Sequence, residues 1–288
     1  MATGAHANPD PAQAEAPALR RLLPGGDPAT AAEIVEGLGL WERPAAAAGR
    51  PRVLLNMVST VDGRATLDGR SAPLSSRADR DLFHGLRTAV DAVLVGAATV
   101  RMERYGRIIR DQSRRSLRRE RGLAEEPLAC VVSAHLALPP DLPLLAEPEA
   151  RVVIVTPSAA SLPATAARVD YVRAERAGCL DLRAALGELR ERFGVEVLLC
   201  EGGPHLSAEL LGAGLVDELF LSLAPTLAGG EAAGGAGLRI LAGPELEPPR
   251  ALELLGALEH GSHLFLRYAV RDSSASAASG PSAPSPSA

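Results

Sequence analysis

Glu201-Gly202-Gly203-Pro204 follows the apolar run Val195–Cys200 and precedes a helical stretch reaching Leu215, and the junction is composed like a phosphate cradle. Two glycines let the backbone turn tightly and come close to a ligand. Pro204 suits a first helical turn that has no use for its missing N–H, and the free N–H groups of that turn attract an anion. A strand-to-helix turn without a ligand has the same composition, so three other sites enter the decision. In Asn56-Met57-Val58-Ser59-Thr60-Val61-Asp62-Gly63 an apolar run ends on an Asp-Gly turn signal, where Ser59 and Asp62 could line a pocket or could belong to a plain turn. In Val95-Gly96-Ala97-Ala98-Thr99 a run ends on glycine; Gly96 permits close approach and Thr99 could donate to a phosphate or amide oxygen, unless the segment is a simple connection. A helix starting near Ser75-Ser76 carries Arg77, Arg80, His84 and Arg87. The planar fork of Arg87 matches a phosphate bidentately, and an ion pair with Asp81 or Asp91 is its ordinary alternative. Open α/β sheets bind ligands beyond their strand ends, and two phosphate-friendly ends, at Gly96 and Gly202, suit a dinucleotide better than a mononucleotide.

Other chemistries find less support. His260 and His263 have no third ligand at a sensible spacing, so no metal is expected. The Gly-x-Ser-x-Gly nucleophile elbow is missing, as is the His-x-Glu with Pro-Cys-x-x-Cys pattern of zinc deaminases. All 30 basic residues are arginine. The lack of lysine excludes a P-loop lysine, a Schiff base with pyridoxal phosphate and a lysine general base.

The elements that must position these residues begin at Arg52, in a chain of 288 residues that can form one large α/β domain or two small ones. Short apolar runs at Val53–Met57, Ala92–Val95, Ala129–Val132, Val152–Val155, Val169–Val172, Val195–Cys200 and Leu219–Leu223 alternate with helical stretches. That alternation predicts a mostly parallel sheet covered on both faces. Ser76 with Asp79 predicts an N-cap for a helix through Ala89, and Asp181 precedes Leu182, Ala185, Leu186, Leu189 and Phe193 at helical spacing. Leu252–Glu259 and His263–Val270 flank His260-Gly261-Ser262 as an antiparallel hairpin, so the sheet is expected to be mixed. Residues 1–18 and 273–288, rich in Ala, Pro and Ser, read as disordered. Residues 19–50 read as a lead-in with one short helix over Pro28–Leu40, and 51–272 as the main domain. Nine arginines between Arg101 and Arg121 read as a solvated loop or exposed helix. The net charge of −5 gives no pull toward nucleic acid or an anionic membrane. With neither a signal-peptide pattern nor a membrane-length apolar run, and with Cys130, Cys179 and Cys200 at no ligand spacing, a cytoplasmic protein is expected.

Taken together, the chain resembles the pyrimidine reductases of riboflavin biosynthesis, the C-terminal reductase domain of the bifunctional deaminase–reductase. The resemblance spans about Arg52 to Val270. It rests on Asn56 to Gly63, on Leu86-Arg87 followed by Asp91 to Gly96 with Thr99-Val100, and on Glu201 to Pro204 with Gly214 to Glu218 and Ala224-Pro225. It implies a dihydrofolate-reductase-like fold, a homodimer, and NADPH-dependent reduction of a phosphorylated ribosylaminopyrimidine by hydride transfer to the ribose C1′. By motif, Gly96, Thr99, Glu201, Gly202, Gly203 and Pro204 would hold NADPH, and Ser59, Asp62, Ser75 and Arg87 would line the substrate side; the sequence leaves the proton donor open between Asp62, Glu103 and a bound water. The family's Asp-Asp-Pro after the threonine is Glu103-Arg104-Tyr105 here, a departure that bears on substrate more than on cofactor. A dihydrofolate-type or other pterin or pyrimidine reductase, and a non-catalytic nucleotide-binding protein, are the competing readings.

Overall fold

The structure, a computed structural model, describes residues 16–43, 49–229 and 238–271. Both termini expected to be disordered therefore lie almost wholly outside the described residues. In chain order the elements are β1 (Leu19–Leu23), β2 (Gly25–Ala29), α1 (Ala31–Glu36), β3 (Arg52–Thr60), α2 (Arg77–Ala89), β4 (Ala92–Gly96), α3 (Ala97–Met102), α4 (Gln112–Glu120), β5 (Leu128–Val132) and α5 (Pro143–Ala146). They continue as β6 (Arg151–Thr156), β7 (Arg168–Arg173), β8 (Glu175–Arg176), β9 (Cys179–Leu180), α6 (Leu182–Phe193), β10 (Val197–Cys200), α7 (Pro204–Gly212), β11 (Glu218–Ala224), β12 (Ala251–His260) and β13 (His263–Arg271).

One 11-stranded sheet runs in the order β2-β1-β12-β13-β11-β3-β10-β4-β5-β6-β7. From β11 to β7 neighbouring strands are parallel, and from β13 outward they are antiparallel. Each apolar run expected to be a strand is one. Their continuous apolarity follows from burial on both faces, because successive side chains point to opposite sides. Leu54, Val93, Val95, Val197 and Leu199 pack with α2 residues such as Leu86 and Ala89. Val53, Leu55, Met57, Leu94 and Leu198 pack on the other face with Leu186 and Leu189 of α6 and Leu206 and Leu210 of α7.

The helix ends are set by local chemistry. The Ser76 side chain accepts from the Asp79 N–H at 3.2 Å and starts α2. Asp181 accepts from the Ala184 N–H at 3.0 Å and starts α6, which ends on Gly194 with φ 67°. Gly261 and Ser262, with φ 56° and 66°, form the two-residue turn between β12 and β13, so His260 pairs with His263 inside the ladder.

Two expectations are corrected. The lead-in is not merely helical: β1 and β2 extend the sheet beyond β12, and α1 covers only Ala31–Glu36, closed by a Thr30–Glu33 capping box. In the arginine-rich stretch the expected exposed helix is present as α4, but Arg118 departs from it, buried to 1% exposure. Arg118 Nη1 donates to the carbonyls of Thr88 and Val90 at 2.8 and 2.6 Å, where α2 ends. Among the described residues no helix is long and apolar enough to cross a membrane.

Candidate active site

The C-terminal ends of β3, β10, β4 and β5, four neighbours in the sheet, open into one cavity of about 750 Å³. Adjacent strands lie roughly 4.8 Å apart, so these ends form a floor long enough for an extended ligand. Its centre is backbone: the Gly96 N–H donates to the Gly202 carbonyl at 2.8 Å, which carries the β4–β10 register past the end of the ladder. A Cβ on Gly96 would stand 3.5 Å from the Gly203 nitrogen, and one on Gly203 would stand 2.8 Å from Thr99 Oγ1. Gly202 has φ 88°, a conformation that favours glycine, and the Gly202–Gly203 peptide is cis. Pro204 occupies the first turn of α7, whose N-terminus faces the cavity through Gly203, His205 and Leu206.

Behind this floor lies a buried ionic network. Arg87 is 9% exposed, and its Nε and Nη2 donate to Glu201 Oε1 and Oε2, both at 2.6 Å. Its Nη1 donates to the Ile108 carbonyl at 3.1 Å, and the guanidinium lies 4.2 Å from the Phe83 ring centre. The Tyr105 hydroxyl donates to Glu201 Oε2 at 2.6 Å. Burial works against the Arg87 charge, but the Glu201 carboxylate more than offsets this and holds its pKa above the ordinary arginine value. Burial, then the Glu201 charge, raises the Tyr105 phenol well above its usual range, so it stays protonated as a donor.

Ser75, Gly96, Thr99, Glu103, Glu201, Gly202, Gly203 and Pro204 all line the cavity. Three expected site residues do not. Arg87 is committed to Glu201 and Ile108, so the structure replaces its role as phosphate clamp with that of partner to a buried carboxylate. Glu201, in turn, brings a fixed negative charge that is suited to hydrogen-bond donors rather than to a cofactor phosphate. Ser59 is 2% exposed within β3 and lies off the cavity wall. Asp62 faces the turn after β11: its carboxylate accepts from the Thr60 hydroxyl at 2.5 Å and from the Ala228 and Gly229 N–H groups at 3.2 and 2.7 Å. The Thr60 bond foremost, then those backbone bonds, lower its pKa to about 2, so near neutrality it has no proton to give. Glu103 does face the cavity, accepting from Ser71 Oγ at 3.0 Å.

Sequence reasoning missed Asn56, Thr66 and Phe83 as site residues, along with Ser133 and His135 beyond β5. Asn56 lay within a quoted motif and was readable there. The end of β5 carries no glycine to mark it, and Thr66 and Phe83 reach the cavity only through the packing of a strap and a helix.

The comparisons with known proteins agree with this geometry. Residues 51–253 match the model of the RibD C-terminal domain. The chain is 31% identical over 230 residues to the 2,5-diamino-6-ribosylamino-4(3H)-pyrimidinone 5′-phosphate reductase of Methanothermobacter thermautotrophicus, covering 77% of this chain and 99% of that protein. It is 28% identical to the riboflavin biosynthesis protein RibD of Aquifex aeolicus over 66% of this chain, and spans 51% of that relative's length. In structure, a pyrimidine reductase-like protein from Corynebacterium diphtheriae superposes with a TM-score of 0.65 at 24% identity, over 85% of this chain and 100% of that one. The fold is the expected dihydrofolate-reductase-like one, and its glycine-floored cavity is built from the same three motifs that the matched segment contains. This chain belongs to the RibD C-terminal domain family, a family of reductases.

Proposed function

We propose that the chain is an NADPH-dependent reductase of a phosphorylated ribosylaminopyrimidine in riboflavin biosynthesis, delivering hydride to the ribose C1′. The observation that carries this reading is the one cavity across four strand ends, floored by Gly96, Gly202 and Gly203 and walled by apolar side chains with a few polar groups among them. The cofactor fits these residues: a Cβ on Gly203 would stand 2.8 Å from Thr99 Oγ1, so a side chain there would intrude on the cradle beside the threonine hydroxyl. Thr99 Oγ and the first turn of α7 supply donors for a pyrophosphate there. Bound NADPH would supply the hydride.

The chain's own residues would do the rest. Glycines and Thr99 orient the cofactor, while Ser71 and Ser75, from the strap after β3, bind the substrate side. Opening the ribose ring breaks the C1′–O4′ bond and requires a proton at O4′. Of the two carboxylates raised by the sequence only Glu103 faces the cavity, and we assign this proton to it. The Glu201 carboxylate, held by Arg87 and Tyr105, accepts hydrogen bonds from ring or amino N–H groups of the pyrimidine and offsets positive charge developing at C1′. Enclosure by Phe83, Met57 and Leu206 limits water.

The test is titration with NADPH and NADH, followed by NADPH oxidation with the ribosylaminopyrimidine phosphate and, separately, with dihydrofolate. Turnover of the pyrimidine with preference for NADPH supports the reading; turnover of dihydrofolate alone, or no dinucleotide binding, overturns it. The homodimer is part of the same proposal and is checked by light scattering on the eluted protein.

A further inference from the structure

Among the described residues, four buried side-chain polar atoms lack a hydrogen-bond partner: Trp41 Nε1, Arg43 Nη2, Thr66 Oγ1 and Arg115 Nε. Arg43 Nη2 lies 3.3 Å from the Asp91 carboxylate, Arg115 donates to Gln112 through another nitrogen, and the Trp41 ring lies beneath Arg121. Thr66 alone of the four lines the cavity, and it is 9% exposed. A hydroxyl buried without a partner is destabilising, and such groups are rare enough in native proteins to need a cause.

Local fraying cannot relieve it. The Ala65 N–H donates to the Leu238 carbonyl at 2.7 Å on one side, and Leu67 and Arg70 exchange two N–H···O bonds of 2.9 Å on the other. The strap is thus pinned around Thr66, a residue of the cavity wall whose hydroxyl is shut from solvent and has no partner of its own. That wall also includes Asn56, Ser71 and Ser75, and it is distinct from the glycine floor contributed by β4 and β10.

We propose that Thr66 is a substrate-binding residue whose hydroxyl donates a hydrogen bond to an oxygen, on sugar or phosphate, of the bound pyrimidine nucleotide. The inference rests on the reductase reading. Its free-state cost is recovered when substrate binds, which ties discrimination of substrate to a defect in the empty enzyme.

The opposite signs of two effects test it. Thr66→Val keeps the shape and removes the hydroxyl. In the free protein Tm should rise by about 2–4 °C, while KM for the phosphorylated pyrimidine should rise roughly three- to tenfold. NADPH affinity should stay within about twofold, since the cofactor floor is untouched. Thr66→Ser, which restores the donor, should return KM to near the wild-type value. Repeating the pair with dephosphorylated substrate locates the acceptor: a KM ratio that persists places it on the sugar, and one that vanishes places it on the phosphate. A lower Tm for Thr66→Val, or an unchanged KM, overturns the assignment while wild-type turnover keeps the reductase reading. A wild-type protein with no turnover of the pyrimidine removes both.

Discussion

At the scale of single residues, the pair Arg87–Glu201 decides how the site is charged. Breaking a buried pair from one side leaves an uncompensated charge and costs about 3–5 kcal/mol. Arg87→Ala should therefore lower the denaturant midpoint sharply, and substrate with or without phosphate should be affected alike. A loss of affinity confined to phosphorylated substrate, at unchanged stability, would restore the clamp. Tyr105→Phe removes one donor to the same carboxylate, so its effect on kcat should disappear in a Glu201→Gln background; effects that multiply would show the two residues acting separately. Asp62 makes the opposite point about legibility. Its Asp-Gly signal correctly marked a turn, yet beyond the nearby Thr60 hydroxyl the groups it binds lie 166 and 167 residues away, at Ala228 and Gly229. With its pKa lowered to about 2, the stability it contributes is present above the ordinary carboxylate pKa and fades as pH falls through that value toward about 2. The stability gap between wild type and Asp62→Asn, followed by urea denaturation, should be constant from neutral pH down to about 5 and close below it.

At the scale of elements, the sequence was most legible where one local cause fixes structure. Apolar runs gave the parallel strands, Ser76 and Asp181 gave the starts of α2 and α6, and the glycines at strand ends gave the floor of the cavity. It was least legible where an element is made by its partner. Leu19–Leu23 and Gly25–Ala29 include Arg20, Arg21, Gly25, Gly26 and Asp27, and show no alternation of their own; they become strands because β12 offers an unpaired edge. Arg118 is similar: nothing in a run of arginines tells which one will enter the core and meet the end of α2. The cradle gives a sharper element-level prediction. Gly203→Ala would press a methyl to 2.8 Å from Thr99 Oγ1, shifting β10–α7 against α3, and NADPH affinity should fall about tenfold or more. Thr99→Ala in the same background removes the obstructing oxygen, so protein stability should recover while cofactor affinity stays low. Recovery of both would mean that Thr99 serves only as a steric neighbour.

At the scale of the whole molecule, the family segment and the folded body do not coincide. The match ends at Glu253, yet β13 lies between β12 and β11 in the sheet, so the parallel half meets the antiparallel half only through residues beyond that point. At the other end, Leu19, Val35 and Leu40 precede the matched segment and are 0%, 4% and 1% exposed. Val35 packs so closely on α2 that a Cβ on Gly85 would stand 2.8 Å from its methyl. Residues 19–43 therefore brace α2, the helix whose Phe83 walls the cavity and whose Arg87 holds Glu201. A chain beginning at Gly49 would lack these side chains, each worth about 1.5–3 kcal/mol when fully buried, and would expose the apolar surface they cover as well as the edge of β12. It should melt several degrees lower and self-associate through that edge. It should also lose pyrimidine turnover before it loses NADPH binding, because the glycine floor is carried by β4 and β10 at the centre of the sheet while α2 is carried by the lead-in. Equal melting and equal turnover in the shortened chain would make the lead-in an ornament; loss of cofactor binding first would place the weak point in the floor instead of the helix above it.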